Sequence, residues 1–177
     1  LAKAKNKNIS DLVVCILDRP RHADLIKAVR DSGARIMLIS DGDVSGVIAT
    51  SSVSSGVDIY VGSGGAPEGV LAAAALRCIG GQMQGRLLFR NDDERARAAK
   101  WGITDLDRVY SMLDLAAGDV MFAATGVTDG TMVQGVRRRG GGAFTESIVM
   151  RSKSGTVRKI SSEHDFTRKT GFRFAEE

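Results

Sequence analysis

Aromatic residues and cysteine are scarce in this 177-residue sequence, and no long apolar run occurs in it. Aromatic side chains make up 5% of the residues, which leaves little stacking surface for nucleic acid. Every apolar stretch falls short of the roughly 18–20 residues that a membrane-spanning helix needs, and the chain does not open with a signal-like segment. We therefore expect neither a nucleic-acid partner nor a membrane partner.

The two cysteines, Cys15 and Cys78, lie in apolar stretches and do not form a CxxC spacing. This excludes a scaffold built on disulfides and favours a reducing, cytoplasmic compartment. Apolar residues make up 43% of the chain and charged residues 26%, which is enough to build a core and excludes wholesale disorder. The formal net charge of +4 is spread along the chain, so it indicates solubility and at most an affinity for phosphate.

Apolar runs alternate with segments of helical spacing along the first 125 residues. The runs predict five strands, at residues 12–17, 34–40, 57–62, 86–90 and 119–125, the first two of them buried. Predicted helices lie between them, at residues 23–33, 67–79 and 92–102, with a weaker helix or loop at 44–53. Strands that alternate with helices in this way predict an α/β fold with a mostly parallel sheet and helices on both of its faces.

The pattern changes after Thr131. Three strand-like pieces follow, joined by glycine-rich or Ser-Gly turns, at residues 132–139, 146–152 and 155–161. They predict an antiparallel extension of the sheet at the C-terminal end. From His164 the apolar spacing fades, so we predict one lobe over residues 1–165 and a loose tail over 166–177.

Charged or polar residues follow four of the predicted strands. They are Arg19 and Arg21 after the first strand, Asp41 and Asp43 after the second, Glu68 after the third, and Thr128 and Asp129 after the fifth. The carboxyl ends of parallel strands meet at one edge of a sheet, where α/β proteins bind ligands. Charge after an apolar strand also arises simply because the chain reaches solvent. A functional interpretation therefore requires the four loops to converge.

The third of these loops, residues 62–69, is rich in glycine and enters a predicted helix at Pro67. Small residues let backbone N–H groups approach an anion, and the start of a helix adds its positive dipole end. The spacing matches neither GxGxxG nor GxxxxGK[ST], which argues against a dinucleotide or P-loop site. Glu68 in the first helical turn has two interpretations, a carboxylate that suits the helix dipole or a metal ligand.

Arg19 and Arg21 flank Pro20, which fixes the turn between them. Two guanidinium groups held in this way can bind one phosphate through paired hydrogen bonds, although the same residues also suit a solvated turn. The next residue, His22, could extend that site, but we interpret it as a cap for the helix that follows.

Asp41 and Asp43 stand on either side of Gly42. Two carboxylates at this spacing can share a ligand rich in hydroxyl groups or bind a metal ion. Asp43 can equally well cap the segment that follows it.

Five motifs along the chain together resemble one known family. In order they read LDRPRH, ISDGDV, GSGGAPEGVLAAAALRC, ATGVTDG and VMRSKSGTVR, and they are similar to class II fructose-1,6-bisphosphatase up to about Ile160. The likeness is to the C-terminal half of that enzyme. The family's N-terminal half, which carries most of its metal-binding carboxylates and the residues that activate water, has no counterpart here, in keeping with a chain that begins at Leu1. We expect that half as a partner and no catalytic residue in this chain.

The resemblance implies hydrolysis of the 1-phosphate of fructose 1,6-bisphosphate to fructose 6-phosphate and phosphate, a step of gluconeogenesis, with Mg²⁺ or Mn²⁺ as cofactor. It implies a layered α/β sandwich like that of the lithium-sensitive sugar phosphatases, and self-association as a dimer or tetramer. The substrate-binding residues that it implies are Arg19, Pro20, Arg21, Asp41, Gly42, Asp43 and Gly65. Glu68 is the implied metal ligand.

Two alternatives stay open at this point. One is a related phosphatase that acts on sedoheptulose 1,7-bisphosphate or on another sugar or inositol phosphate. The other is a phosphosugar-binding module without catalysis, in which the acidic loops serve only as caps.

Overall fold

The computed structural model describes residues 1–169 of the chain. Its strands are β1 Val13–Leu17, β2 Arg35–Ile39, β3 Ile59–Tyr60, β4 Gln84–Gly85, β5 Tyr110–Ser111, β6 Met121–Thr125, β7 Arg137–Arg139, β8 Gly142–Arg151 and β9 Thr156–Asp165. Its α-helices are α1 Ala2–Lys5, α2 Ala23–Asp31, α3 Asp43–Ala49, α4 Ala66–Ile79, α5 Asp92–Lys100 and α6 Met112–Leu115. Short 3₁₀ turns cover Ile9–Asp11, Pro20–His22, Val53–Ser55 and Phe166–Arg168.

The first three strands form a parallel sheet in the order β2-β1-β3. The central strand β1 is apolar throughout, with three β-branched residues, and its Ile16 is fully buried. Helix α2 covers one face of this sheet, where Ile26 packs with Val14 and Ile16. The other face is covered by α3 and α4, since Val47 and Leu76 pack together there with Tyr60. The predicted parallel sheet flanked by helices is confirmed.

The C-terminal strands form an antiparallel sheet around β8. Strand β9 pairs with β8 along its whole length, while β6 and β7 pair with the opposite edge of β8. The tight turn between β8 and β9 contains Gly155, whose φ of +56° lies in the left-handed region that glycine adopts without steric cost. The predicted antiparallel extension is thereby confirmed; β8 and β9 are longer than the apolar pattern indicated, whereas β7 covers only the end of the predicted strand at 132–139.

Helix α4 lies between the two sheets. Ala75 and Cys78 on one of its sides pack against Phe122, Ile148 and Met150 of the antiparallel sheet. Its other side faces α3 and the parallel sheet. The small alanine side chains let the backbone of α4 approach both neighbours. The molecule is therefore layered, with α2, the parallel sheet, α3 and α4, and the antiparallel sheet in succession.

The prediction of a strand at residues 86–90 was wrong. The structure has only the short pair β4 and β5 nearby, and Leu88 is 72% exposed. The reason lies at Arg90, whose backbone N–H and Nε both donate to the Glu94 carboxylate at 2.8 and 3.0 Å. These bonds join the end of the segment to the first turn of α5. Because the Arg90 N–H donates to Glu94, it is not available to pair with a neighbouring strand.

Two further expectations need correction. Strand β2, predicted as a buried strand, is an edge strand whose Met37 and Leu38 are each 41% exposed. The fifth predicted strand, β6, does not join the parallel sheet, because it pairs with β8 instead.

At the C-terminus, β9 continues to Asp165, beyond the point where the apolar pattern fades. Most of the predicted loose tail, residues 170–177, lies outside the described residues. Among residues 1–169, no helix has both the length and the apolar character that a membrane crossing requires.

The N-terminal segment is fastened to the parallel sheet through Asp58. This buried carboxylate accepts hydrogen bonds from Lys5 Nζ at 2.8 Å, from the Val13 N–H at 2.9 Å and from Lys7 Nζ at 3.0 Å. The bonds from Lys5, the Val13 N–H and Lys7 stabilise the charged form, so they hold the pKa of Asp58 well below the usual carboxyl range.

Candidate functional site

The glycine-rich loop Gly62–Gly65 follows β3 and leads directly into α4. His22, from the loop after β1, is buried and bonds to the backbone of this loop. Its Nδ1 lies 2.7 Å from the Leu17 carbonyl oxygen, and its Nε2 accepts a hydrogen bond of 2.9 Å from the Ser63 N–H. The expectation that this histidine caps α2 was wrong: His22 occupies the N-cap position, but its side chain makes no capping bond.

Arg21 contacts the same residue from the exposed side. Its Nε donates to the Ser63 carbonyl oxygen at 2.9 Å. Adjacent residues of the β1 loop therefore bind both polar backbone groups of Ser63, the N–H through His22 and the C=O through Arg21. Because Nε carries this bond, the outer nitrogens of the guanidinium group can serve another acceptor.

Asp43 approaches the loop from α3. Its Oδ1 accepts a hydrogen bond of 2.9 Å from the Val44 N–H, and its Oδ2 lies 3.4 Å from the position that a Cβ on Gly64 would occupy. Gly42, with a φ of +78°, makes the turn that brings the aspartate here. Gly42 takes the N-cap position of α3, so the alternative in which Asp43 is the N-cap residue is not the one adopted.

Glu68 lies in the first turn of α4 and folds back on Gly65. A Cβ built on Gly65 would overlap the Glu68 carboxylate, so only glycine leaves room for this approach. The Glu68 side chain is exposed. Its carboxylate is therefore free of the core and stands at the rim of the loop.

A cleft of about 1040 Å³ opens beside the loop. Its lining includes Asp43, Tyr60, Glu68 and the whole of Gly62–Gly65. Arg21 reaches the loop from the α2 side, outside this lining. The loop thus stands between a cationic side, with Arg21, and an acidic side, with Asp43 and Glu68.

Tyr60 lies at the end of β3, between these charges. Burial and the negative charge of Asp43 raise the pKa of its hydroxyl to about 12, against the opposing charge of Arg21. The hydroxyl therefore stays protonated at neutral pH and remains able to donate a hydrogen bond. Sequence reasoning missed this tyrosine, although its place at the carboxyl end of a predicted strand was a usable signal.

Three residues singled out in the sequence lie in the same two loops and bond locally. Arg19 Nη1 donates to the Asp18 carbonyl oxygen at 2.9 Å, and Pro20 begins the 3₁₀ turn. Asp41 Oδ1 accepts from the Gly42 N–H at 2.7 Å.

The fourth predicted loop does not follow a strand of the parallel sheet. Asp129 accepts a hydrogen bond of 2.9 Å from the Gly135 N–H and lies 3.9 Å from Arg137, within the antiparallel part of the molecule. Three of the four loops therefore meet at Gly62–Gly65.

The donor set offers one position for a hard cation. Glu68 supplies an exposed carboxylate oxygen, the kind of ligand that Mg²⁺ and Mn²⁺ prefer. Within residues 1–169, no three His, Cys, Asp or Glu side chains are grouped closely enough to enclose a metal ion. The described residues thus fit one ligand position and do not form a complete site.

Comparison with protein families gives one match over residues 1–164, to the family described as bacterial fructose-1,6-bisphosphatase, glpX-encoded. Two similar curated relatives carry the name D-fructose 1,6-bisphosphatase class 2/sedoheptulose 1,7-bisphosphatase. The protein from Synechococcus sp. (strain JA-3-3Ab) is 42% identical, over 93% of this chain and 51% of its own length. The protein from Microcystis aeruginosa (strain NIES-843 / IAM M-2473) is 43% identical, over 95% of this chain and 52% of its own length. The chain spans about half the length of these relatives.

Proposed function

The chain belongs to the glpX-encoded bacterial fructose-1,6-bisphosphatase family, and on that premise we propose that it supplies the substrate-binding half of a sugar bisphosphatase. The proposed reaction is hydrolysis of the 1-phosphate of fructose 1,6-bisphosphate to fructose 6-phosphate and phosphate. The observation that supports this most directly is the meeting of Arg21, Asp43 and Glu68 around Gly62–Gly65. A phosphosugar needs a cationic group for the phosphate that is retained and acceptors for its hydroxyl groups, and this loop stands between Arg21 and the carboxylates of Asp43 and Glu68.

On the cationic side, Arg21 anchors the phosphate that is not cleaved, and Arg19 and Pro20 shape the turn that presents it. The Nε bond to Ser63 leaves the outer guanidinium nitrogens for phosphate oxygens. Guanidinium forks match such oxygens better than an ammonium group does. Binding energy from this remote phosphate orients the one that reacts.

On the opposite side, Asp41 and Asp43 accept hydrogen bonds from sugar hydroxyl groups, with Gly42 setting the turn. Gly65 lies where the backbone can approach the substrate closely, because no side chain stands there. The N-terminus of the 14-residue helix α4 directs its first N–H groups toward the same region.

Glu68 contributes one oxygen ligand to a Mg²⁺ or Mn²⁺ ion, and ligands from outside this chain complete its coordination. When bound, such an ion neutralises the charge of the transferring phosphoryl group and activates water. What this chain itself does is hold and orient the substrate. The catalytic residues belong to the N-terminal half of the enzyme, which we propose as the partner of residues 1–165.

The proposed compartment is the cytoplasm, in keeping with the two buried free thiols, Cys15 and Cys78. Self-association as a dimer or tetramer stays a prediction from family membership.

Sedoheptulose 1,7-bisphosphate is the second candidate substrate, because the similar relatives are named for both activities. A titration panel of fructose 1,6-bisphosphate, sedoheptulose 1,7-bisphosphate and an inositol monophosphate, followed by calorimetry, ranks the candidates. The proposal predicts that a bisphosphate binds most tightly. Preference for the inositol phosphate would contradict it.

An activity assay distinguishes the proposed bisphosphatase from a binding module without catalysis. The assay uses the chain joined to the N-terminal half of the Synechococcus relative. Phosphate release that Mn²⁺ supports and Glu68→Gln abolishes is the expected result. Substrate binding without any such release in the joined protein would favour the binding module.

A further inference from the structure

We propose that His22 is a positioning residue, whose imidazole fixes the backbone of Ser63 and thereby the loop that receives the phosphosugar. The inference rests on the function proposed above, because it concerns the same loop. His22 is 2% exposed. It acts on the substrate only through the loop backbone.

Both ring nitrogens of His22 bond to the chain. The Leu17 carbonyl oxygen can only accept, so the Nδ1 that lies 2.7 Å from it donates. Nε2 accepts from the Ser63 N–H at 2.9 Å and lies 3.1 Å from Ser63 Oγ and 3.2 Å from the Ser63 carbonyl oxygen. The imidazole therefore connects the end of β1 with the backbone of Ser63.

The ring also packs closely against the loop. A Cβ on Gly62 would lie 3.3 Å from His22 Cε1 and 3.3 Å from the Tyr60 hydroxyl. These distances are shorter than most carbon contacts in proteins, so the imidazole and the phenol together confine the Gly62 backbone. The glycine at this position is explained by their approach.

His22 joins the loop to the buried central strand of the parallel sheet. Leu17, whose carbonyl it bonds, ends the central strand β1, and Ile16 beside it is fully buried. Ser63 lies 41 residues away in the sequence. The imidazole thus connects the sheet with the loop. By fixing the loop, it also fixes the distance between Arg21, which bonds to the loop, and Glu68, which follows it.

Two variants separate this role from a general contribution to stability. His22→Asn places an amide N–H near the position of Nδ1, so it can keep the bond to Leu17 while the Ser63 N–H loses its acceptor. His22→Gln places an amide oxygen near the position of Nε2, so it can keep the bond to Ser63 while the Leu17 carbonyl loses its donor. The pair therefore removes the two bonds one at a time.

Calorimetric titration of the 177-residue chain with fructose 1,6-bisphosphate supplies the first readout. We expect His22→Asn to weaken binding about tenfold or more, the effect of one lost hydrogen bond. His22→Gln recovers binding to within about threefold of the wild type. The Tm values rank the two variants in the opposite order, because the bond to Leu17 is the more deeply buried. As a control, Met150→Ala in the antiparallel core lowers Tm and leaves affinity unchanged.

Backbone order at Ser63–Gly65, from ¹⁵N relaxation of the ligand-free chain, supplies a second readout that does not depend on substrate. We expect His22→Asn to lower the backbone order of this segment and His22→Gln to leave it unchanged. Unchanged order in His22→Asn, or affinity that follows Tm across the variants, overturns the positioning role. Wild-type chain that keeps an ordered loop but does not bind fructose 1,6-bisphosphate contradicts the proposed function instead.

Discussion

At the scale of single residues, the candidate site depends on the backbone N–H and C=O groups of Ser63. His22 binds its N–H and Arg21 binds its C=O, at 2.9 Å each. Neither contact could be derived from the sequence, since each joins residues 41 or 42 positions apart. The sequence shows which residue types follow each strand, but it does not show which group each side chain contacts.

Arg21 gives the first prediction. Arg21→Ala removes the guanidinium group proposed to hold the remote phosphate, so it should weaken binding of fructose 1,6-bisphosphate by about 1.5–3 kcal/mol, the range for a hydrogen bond to a charged group. Arg30→Ala is the matched control, because Arg30 is an exposed arginine in the last turn of α2, the helix that follows the turn with Arg21. Calorimetry on both variants checks the difference. Equal losses would show that only overall charge matters.

Asp58 gives a prediction about stability and pH. Its pKa is depressed in the folded state, so its contribution to the free energy of unfolding is present above the unfolded carboxyl pKa of about 3.9. That contribution is lost as the pH falls through the lower, folded-state pKa. We expect Asp58→Asn to cost about 1–3 kcal/mol at pH 7, because two lysines and a backbone N–H lose a charged acceptor.

Urea unfolding at pH 7 and at acid pH measures this effect. Asp31→Asn is the control, since Asp31 pairs with Lys27 on the surface with 62% of its side chain exposed. Its effect should stay below about 0.5 kcal/mol. The same pH dependence in Asp58→Asn as in the wild type would show that Asp58 does not carry it.

At the scale of elements, helix α4 connects the site with both sheets. Its first turn carries Glu68, and its middle packs against the parallel sheet on one side and the antiparallel sheet on the other. The sequence predicted this helix from Pro67 and the alanine run, and it likewise predicted β1, α2 and α5. It did not predict that β6 pairs with β8, because the partner of a strand depends on the packing of distant segments.

Gly65 at the start of α4 gives the third prediction. Gly65→Ala introduces a Cβ that overlaps the Glu68 carboxylate, so the carboxylate must turn away from the loop. Binding of fructose 1,6-bisphosphate in the presence of Mn²⁺ should weaken by about 1 kcal/mol, the scale of one misplaced polar contact. Gly140→Ala is the control, because an added Cβ there meets nothing within 4 Å. Identical affinities for the two variants would show that Glu68 does not contribute to binding.

At the scale of the whole molecule, this chain carries the proposed substrate loops and, in Glu68, one proposed ligand for a cation. It spans about half the length of its curated relatives. The layered architecture explains how the loops after β1, β2 and β3 reach one place. It also explains why the loop after β6, which belongs to the other sheet, bonds elsewhere.

The chain alone should therefore bind the phosphosugar without hydrolysing it. A phosphate-release assay of the 177-residue chain with fructose 1,6-bisphosphate and Mn²⁺ checks this, with Glu68→Ala as the background. Steady release above that background would mean that the chain contains a complete catalytic centre.

The most direct test of the meeting of three turns at one loop is an amide NMR titration of the chain with fructose 1,6-bisphosphate. We predict that the resonances that shift are those of Ser63, Gly64 and Gly65 together with Arg21 and Asp43, and that the antiparallel sheet stays unperturbed. Shifts confined to one of these turns, or centred on β7–β9, would contradict the account.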